Sequence, residues 1–272
     1  MSAPRAASRW TLGLMAVALA VASCAKVPIT GRSQLNLIPQ SEMLSMSATQ
    51  YTDFLKTNPE SNDAAGKAQV VKVGTNIQHA VEEYMASKGL SDKIKDFHWE
   101  FHLVESKEVN AWCMPGGKVV VYTGILPVTK TESGLAVVLG HEIGHAIAQH
   151  GNERMSQSMM AQMGGTALSV ALANKPAQTQ TLWMSAFGAG AQYGALLPFS
   201  RLQESEADKI GLVLMAMAGY DPHEATSFWE RMAAMGGEKP PEMVSTHPSD
   251  QRRIDDLKKE IPEAMKYYKP KG

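Results

Sequence analysis

Only two cysteines, Cys24 and Cys113, occur among 272 residues. That excludes a disulfide framework, and the fold must hold itself together by packing. An excess of charge of one sign is missing too. With 26 basic and 27 acidic residues the formal net charge is −1, so no global field draws in nucleic acid or anionic lipid; a nucleic-acid partner is not expected. The apolar run at 10–21 is too short to span a bilayer comfortably. The stretch 164–197, rich in Gly, Ala, Gln and Met, is interrupted by Asn174-Lys175-Pro176 and makes a poor transmembrane segment. Internal repeats are absent. What is present is a composition 44% hydrophobic and 19% charged, enough to bury the core of one large domain or two small ones.

The first residues read as an address. Arg5 and Arg9 give a basic beginning, the apolar run follows, and Val21-Ala22-Ser23-Cys24 closes it with small residues before a cysteine. This is a secretory pattern, and its end resembles the bacterial lipobox, in which cleavage precedes the cysteine and its sulfur is acylated. The expectation is a signal peptide at 1–23 and a lipid-anchored tether at 24–40. Lipidation at Cys24 would attach the chain to a membrane, with multiple acyl chains giving firm anchorage where one gives little. Ala25 stands where an aspartate would signal inner-membrane retention, so by resemblance an outer-membrane lipoprotein facing the periplasm is favoured. Cys113 is then left single.

From 41 onward one domain is expected, α+β and mostly helical. Apolar residues recur at three- and four-residue intervals over 41–55 and 68–85, the period of amphipathic helices. Phe97, Trp99, Phe101 and Leu103 alternate with polar neighbours, the period of a half-buried strand. Residues 109–114 and 118–123 flank Pro115-Gly116-Gly117 and read as a hairpin. From Thr131 the chain reads as helical to its end. Over 164–197 a pair of helices with a mobile connection beside the active site fits best.

The chemistry concentrates in His141-Glu142-Ile143-Gly144-His145. Leu135, Val138 and Leu139 give the preceding residues an apolar helical face, which places the motif in a buried helix. Residues four apart share a face of a helix, so His141 and His145 can present ring nitrogens to one metal. Glu142 is turned about 100° away and should reach the attacking water instead. Zinc lowers the pKa of its water toward about 7, and a carboxylate must take the proton and return it to the leaving amine. A catalytic zinc needs a third protein ligand and an open fourth position. Glu204 and Asp208, four apart on a later helix, supply the means: one can ligate while the other hydrogen-bonds a ligand histidine. Because no histidine follows HExxH at the metzincin spacing, Glu204 is the expected ligand and Asp208 its support. Glu206 fits a solvated acidic helix start, and His150 reads as a surface histidine.

In this order the motifs resemble metallopeptidase family 48, the gluzincin group that takes in the CAAX prenyl proteases, HtpX and the periplasmic lipoproteins BepA and LoiP. The similarity runs from Val27-Pro28-Ile29-Thr30-Gly31-Arg32 through the Asn110-Ala111 and Pro115-Gly116-Gly117 hairpin, HEIGH and the Glu204/Asp208 pair to Thr246-His247-Pro248 and Arg253. It implies a gluzincin domain with a small sheet beside the HEIGH helix, one Zn2+ per chain held by His141, His145 and Glu204, Glu142 as base and Asp208 behind the ligands. Asn110, Ala111 and Trp112 would form an edge strand for substrate, although Trp112 and Cys113 stand where plainer apolar residues are expected. His247 and Arg253 are further candidates: His247, before a proline that disfavours helix at the histidine, could donate with Arg253 to the carbonyl oxygen as charge grows there, or could cap the zinc in a latent form. About 19 residues (272 − 253) follow Arg253, too few for a helical repeat of about 34, so a stand-alone, LoiP-like architecture at 41–272 is expected. The implied activity is hydrolysis of internal peptide bonds in unfolded or misfolded envelope proteins, as part of quality control. A chaperone or assembly factor holding chains in the same cleft is the main rival, and an intact Glu142 argues against it. A structural zinc module would want four closed ligands, usually including cysteine.

Overall fold

The computed structural model describes residues 24–235, 247 and 251–270. The signal segment at 1–23 lies outside them, as do the neighbours of His247 at 236–246 and 248–250. The described residues divide into two compact units, those from 24 to 39 with 151–197, and those from 40 to 150 with the ones from 198 onward. The fold is mostly helical with small sheets, as the sequence implies.

In the first unit, strands β1 (Cys24–Lys26) and β2 (Ser33–Leu35) pair antiparallel. The turn between them is closed by the Val27 and Arg32 backbones and passes through Gly31 at φ 71°, a conformation that glycine adopts freely. Both strands lie within the stretch expected as a tether. Arg32 forks onto both oxygens of buried Glu153 at 2.7 Å each, and the backbone N–H of Leu37 donates to Ser156. Two helices, continuous with the pair expected over 164–197, complete the unit; their ranges are His150–Leu172 and Ala177–Ala191.

The second unit carries the core. Helices α1 (Gln40–Thr57) and α2 (Ala64–Ser87) precede a three-stranded sheet. Asp63 caps α2 by accepting from the Gly66 N–H. Strands β3 (Glu100–Val104), β4 (Ala111–Met114) and β5 (Lys118–Tyr122) lie in the order β3-β5-β4. The outer pairs are parallel (β3 with β5) and antiparallel (β4 with β5). Gly116 and Gly117, at φ 89° and 80°, make the tight turn that the sequence predicts. The first strand starts at Glu100 rather than at Phe97; Phe97, Trp99 and Phe101 still pack in succession along one side. Tyr51 and Phe54 of α1 cover Val104, Val120 and Trp112.

Beside β4 runs α3 (Glu132–Ile147), which bears HEIGH. Thr131 caps it by accepting from the Gly134 N–H at 3.0 Å, and every residue from Gly134 to Ile147 is buried. The chain continues as α4 (His150–Leu172) and α5 (Ala177–Ala191), then a π-helical turn over 192–196, α6 (Leu197–Met217), α7 (Glu224–Ala234) and α8 (Gln251–Ala264). Among the described residues no helix is long and apolar enough to cross a membrane.

Candidate metal centre

Two helices build the centre, and small residues set their distance. A Cβ on Gly140 would come 2.9 Å from the Gly211 carbonyl oxygen, and one on Gly144 would meet that of Ala207 at 3.0 Å. Helices α3 and α6 therefore touch main chain to main chain. Each small residue directly precedes or lies one turn from a functional one: Gly140 before His141, Gly144 before His145, Ala207 before Asp208. Close approach at these points delivers Glu204 and Asp208 to the two histidines.

His141 Nε2 and His145 Nε2 lie 3.1 Å apart, and Glu204 approaches each at 3.3 Å. His247 Nδ1 lies 2.7 Å from Glu204 Oε2 and 3.0 Å from His141 Nε2. One ligand atom from each of His141, His145, Glu204 and His247 lies within 4.8 Å of the other three, so the four could hold a metal ion. Imidazole nitrogens with one carboxylate make a donor set suited to zinc. The His247 side chain is only 13% exposed.

Glu142 stands apart from this set, as the helical geometry requires. It is buried, and its Oε1 has no hydrogen-bond partner among the described residues; His247 Nε2 is 3.5 Å away. An unsatisfied buried carboxylate oxygen next to a metal site is costly unless it serves a reacting group.

Behind the ligands, His141 Nδ1 meets Asp208 Oδ1 at 2.9 Å. Arg253 grips Asp208 through Nε at 2.8 Å and Nη2 at 2.7 Å, donates from Nη1 to the His247 carbonyl, and stacks 3.6 Å above the Trp229 ring. Burial works against charge on His141, but the bonds to Asp208 and Glu204 outweigh it and push the imidazole up to about 9. Burial takes His145 the other way, well below its usual value. Glu204 and Asp208 both resist burial: hydrogen bonds from the three histidines hold Glu204 far below the carboxylate range, and Arg253 and His141 hold Asp208 low. The site thus favours the anionic form of Glu204 and of Asp208.

Two residues that the sequence reading set aside belong here. His150 is wholly buried, with Nδ1 2.8 Å from His145 Nδ1 and Nε2 3.1 Å from Glu206 Oε2, and Glu206 is buried with it. The surface and solvated-face readings of this pair are overturned. Of the expected edge strand, Tyr122 donates to the Asn110 carbonyl. Alternation along an antiparallel ladder then turns the Asn110 and Trp112 backbones toward β5 and those of Ala111 and Cys113 away. The Asn110 side chain accepts from the Ala111 N–H, and Trp112 packs edge-on against Phe54. Cys113 is a free thiol that burial, then Glu142, pushes up.

An HExxH helix joined by a carboxylate from a second helix is compatible with a gluzincin-type metallopeptidase domain. Similarity to known proteins extends this to a family. The profile of peptidase family M48 matches residues 72–261, and the chain belongs to that family, whose metallopeptidases are zinc-dependent. It is 39% identical over 191 residues to the mitochondrial metalloendopeptidase OMA1 of Schizosaccharomyces pombe, covering 70% of this chain and 53% of that protein. Human mitochondrial OMA1 is 32% identical over 88% of this chain and 46% of its own. The beta-barrel assembly-enhancing protease of Yersinia pestis is 35% identical over 60% of this chain and 34% of its own. The chain spans about half the length of the first two relatives and about a third of the last.

Proposed function

We propose that this chain is a zinc endopeptidase that cuts internal peptide bonds of unfolded or misfolded envelope proteins. The observation that carries the reading is the buried Oε1 of Glu142, which has no hydrogen-bond partner among the described residues, beside a convergent set of candidate ligands. His141, His145 and Glu204 would hold the ion, which when bound supplies Lewis acidity toward water and the scissile carbonyl. Glu142 takes the proton of the attacking water at Oε1 and returns it to the leaving amine. Asp208 fixes the His141 ring, and Arg253, with its donors committed to Asp208 and the His247 carbonyl, acts through them. A substrate strand adds to β4, using the Ala111 carbonyl and the Cys113 main-chain groups that alternation turns away from β5. The lipobox-like Cys24 supports attachment to a membrane by lipid, and the signal pattern supports a periplasm-facing lipoprotein. A relative named for β-barrel assembly supports the envelope setting.

Casein incubated with the zinc-loaded protein should be cut, and a chelator should abolish cutting as the measured zinc content falls. Intact casein with a full complement of zinc would favour the rival role, a chaperone that holds chains in the same cleft.

With His247 as a fourth ligand the shell would be closed, and a closed shell leaves no position for water or substrate. We therefore read it as a latency ligand that must withdraw before turnover. His247→Ala should raise casein turnover several-fold, because removing a competing state restores the competent fraction, with zinc still near one per chain. A fall of two or more orders in turnover with zinc retained would instead assign His247 to stabilising the carbonyl oxygen.

A further inference from the structure

The two imidazoles of the HEIGH helix are oriented by different devices. His141 donates from Nδ1 directly to a carboxylate, that of Asp208. His145 reaches a carboxylate only through another ring: its Nδ1 faces His150 Nδ1 at 2.8 Å, and His150 Nε2 faces Glu206 Oε2 at 3.1 Å. All three side chains are buried, His150 completely.

The proton positions in this chain follow from one condition. When His145 Nε2 binds metal, its remaining ring proton sits on Nδ1. Nδ1–H then donates to His150 Nδ1, which must accept and so leaves the His150 proton on Nε2. Nε2–H donates to Glu206. Each link fixes the next, and the anionic end lies two rings from the metal.

The backbone shows how His150 comes to face His145. Five residues along an unbroken helix would turn it about 140° away. Instead α3 stops at Ile147, Ala148 forms its cap, and Gln149 takes φ 57°, the left-handed region that a non-glycine side chain disfavours. The reversal re-aims His150 at the ring it would otherwise miss. Its partner Glu206 stands two residues after Glu204 on α6, so one helix supplies both the carboxylate of the ligand set and the carboxylate at the end of the relay.

We propose that His150 and Glu206 are positioning residues that orient His145 and strengthen metal binding through a relay of two imidazoles and a carboxylate. This rests on the reading of His145 as a ligand. Three variants, Glu206→Gln, His150→Gln and His145→Ala, separate the two claims. The readouts are the zinc dissociation constant by chelator competition, the visible spectrum of the cobalt-substituted protein, and the melting temperature of the metal-free protein. Glu206→Gln keeps an acceptor for His150 and removes only the charge. It should weaken zinc about tenfold, and His150→Gln between about tenfold and a hundredfold, the range for lost outer partners of a ligand. Both should shift the cobalt bands while the metal-free melting temperature of Glu206→Gln stays at the wild-type value. An unchanged zinc affinity and cobalt spectrum in Glu206→Gln overturns the relay, whatever His150→Gln does. Should His145→Ala itself keep zinc at full affinity, it is the ligand assignment that fails, and the relay with it.

Discussion

Glu142→Gln should cost three or more orders of magnitude in casein turnover while zinc stays near one per chain. A positioned general base contributes about 10²–10⁴-fold, and here one carboxylate is asked both to take a proton and to return it. The amide is nearly isosteric, so the buried pocket at Oε1 stays filled and the ligand set is undisturbed. Metal analysis beside kinetics checks the assignment. A Glu142→Gln protein that loses zinc as His145→Ala does would make Glu142 a ligand and remove the base from the scheme.

The second large effect concerns stability. Arg253 is buried with its guanidinium forked onto Asp208 and laid on Trp229. Breaking a buried pair by deleting one partner costs about 3–5 kcal/mol, because the remaining charge is left uncompensated. Arg253→Ala should lose about that much in denaturant unfolding of the metal-free protein. Arg253→Lys should recover little of it, since an ammonium can neither fork onto the carboxylate nor stack on the indole. The pH dependence follows from Asp208, whose burial raises its pKa but whose bonds to Arg253 and His141 prevail and depress it. A depressed carboxylate stabilises the fold above its unfolded pKa and is lost as pH falls through the folded value. In wild type that loss falls below the ordinary aspartate range; in Arg253→Ala it should move to higher pH. Unfolding curves for Arg253→Ala that match wild type would show that Asp208 does not depend on the guanidinium.

How much of this was legible follows from where the chain is periodic. His141, His145, Glu204 and Asp208 lie within unbroken helices, where four-residue spacing states which side chains share a face. The hairpin was legible because Pro115-Gly116-Gly117 is a local turn signal. His150 was hidden by the same rule that exposed the ligands: counted as five places along a helix it points away, and only the reversal at Gln149 brings it back. Glu206 is hidden with it, because an acidic residue near a helix start has an ordinary explanation and its partner reads as a surface residue. The stretch at 24–40 reads as a tether because its strands are three residues each, too short to show a period, and its anchor, Glu153, lies more than a hundred residues away in sequence. The spacing of Gly140 and Gly144 against Ala207 and Gly211 was present to be read, since small residues four apart on two helices signal close approach. Without knowing that the helices are neighbours, it carries no direction.

The main-chain contact between α3 and α6 also sets a manufacturing tolerance. Where helices meet through side chains, a changed methyl group is absorbed by rotamer shifts elsewhere, and the separation drifts with the composition of the core. Here the gauge is peptide against peptide at Gly140 and Gly211, with nothing between them to vary. The span from the histidines to Glu204 is therefore insulated from exchanges among the surrounding Leu, Ile and Val residues. It is exposed at single points: one added carbon at position 140 or 211 has no side chain to displace and must move a whole helix.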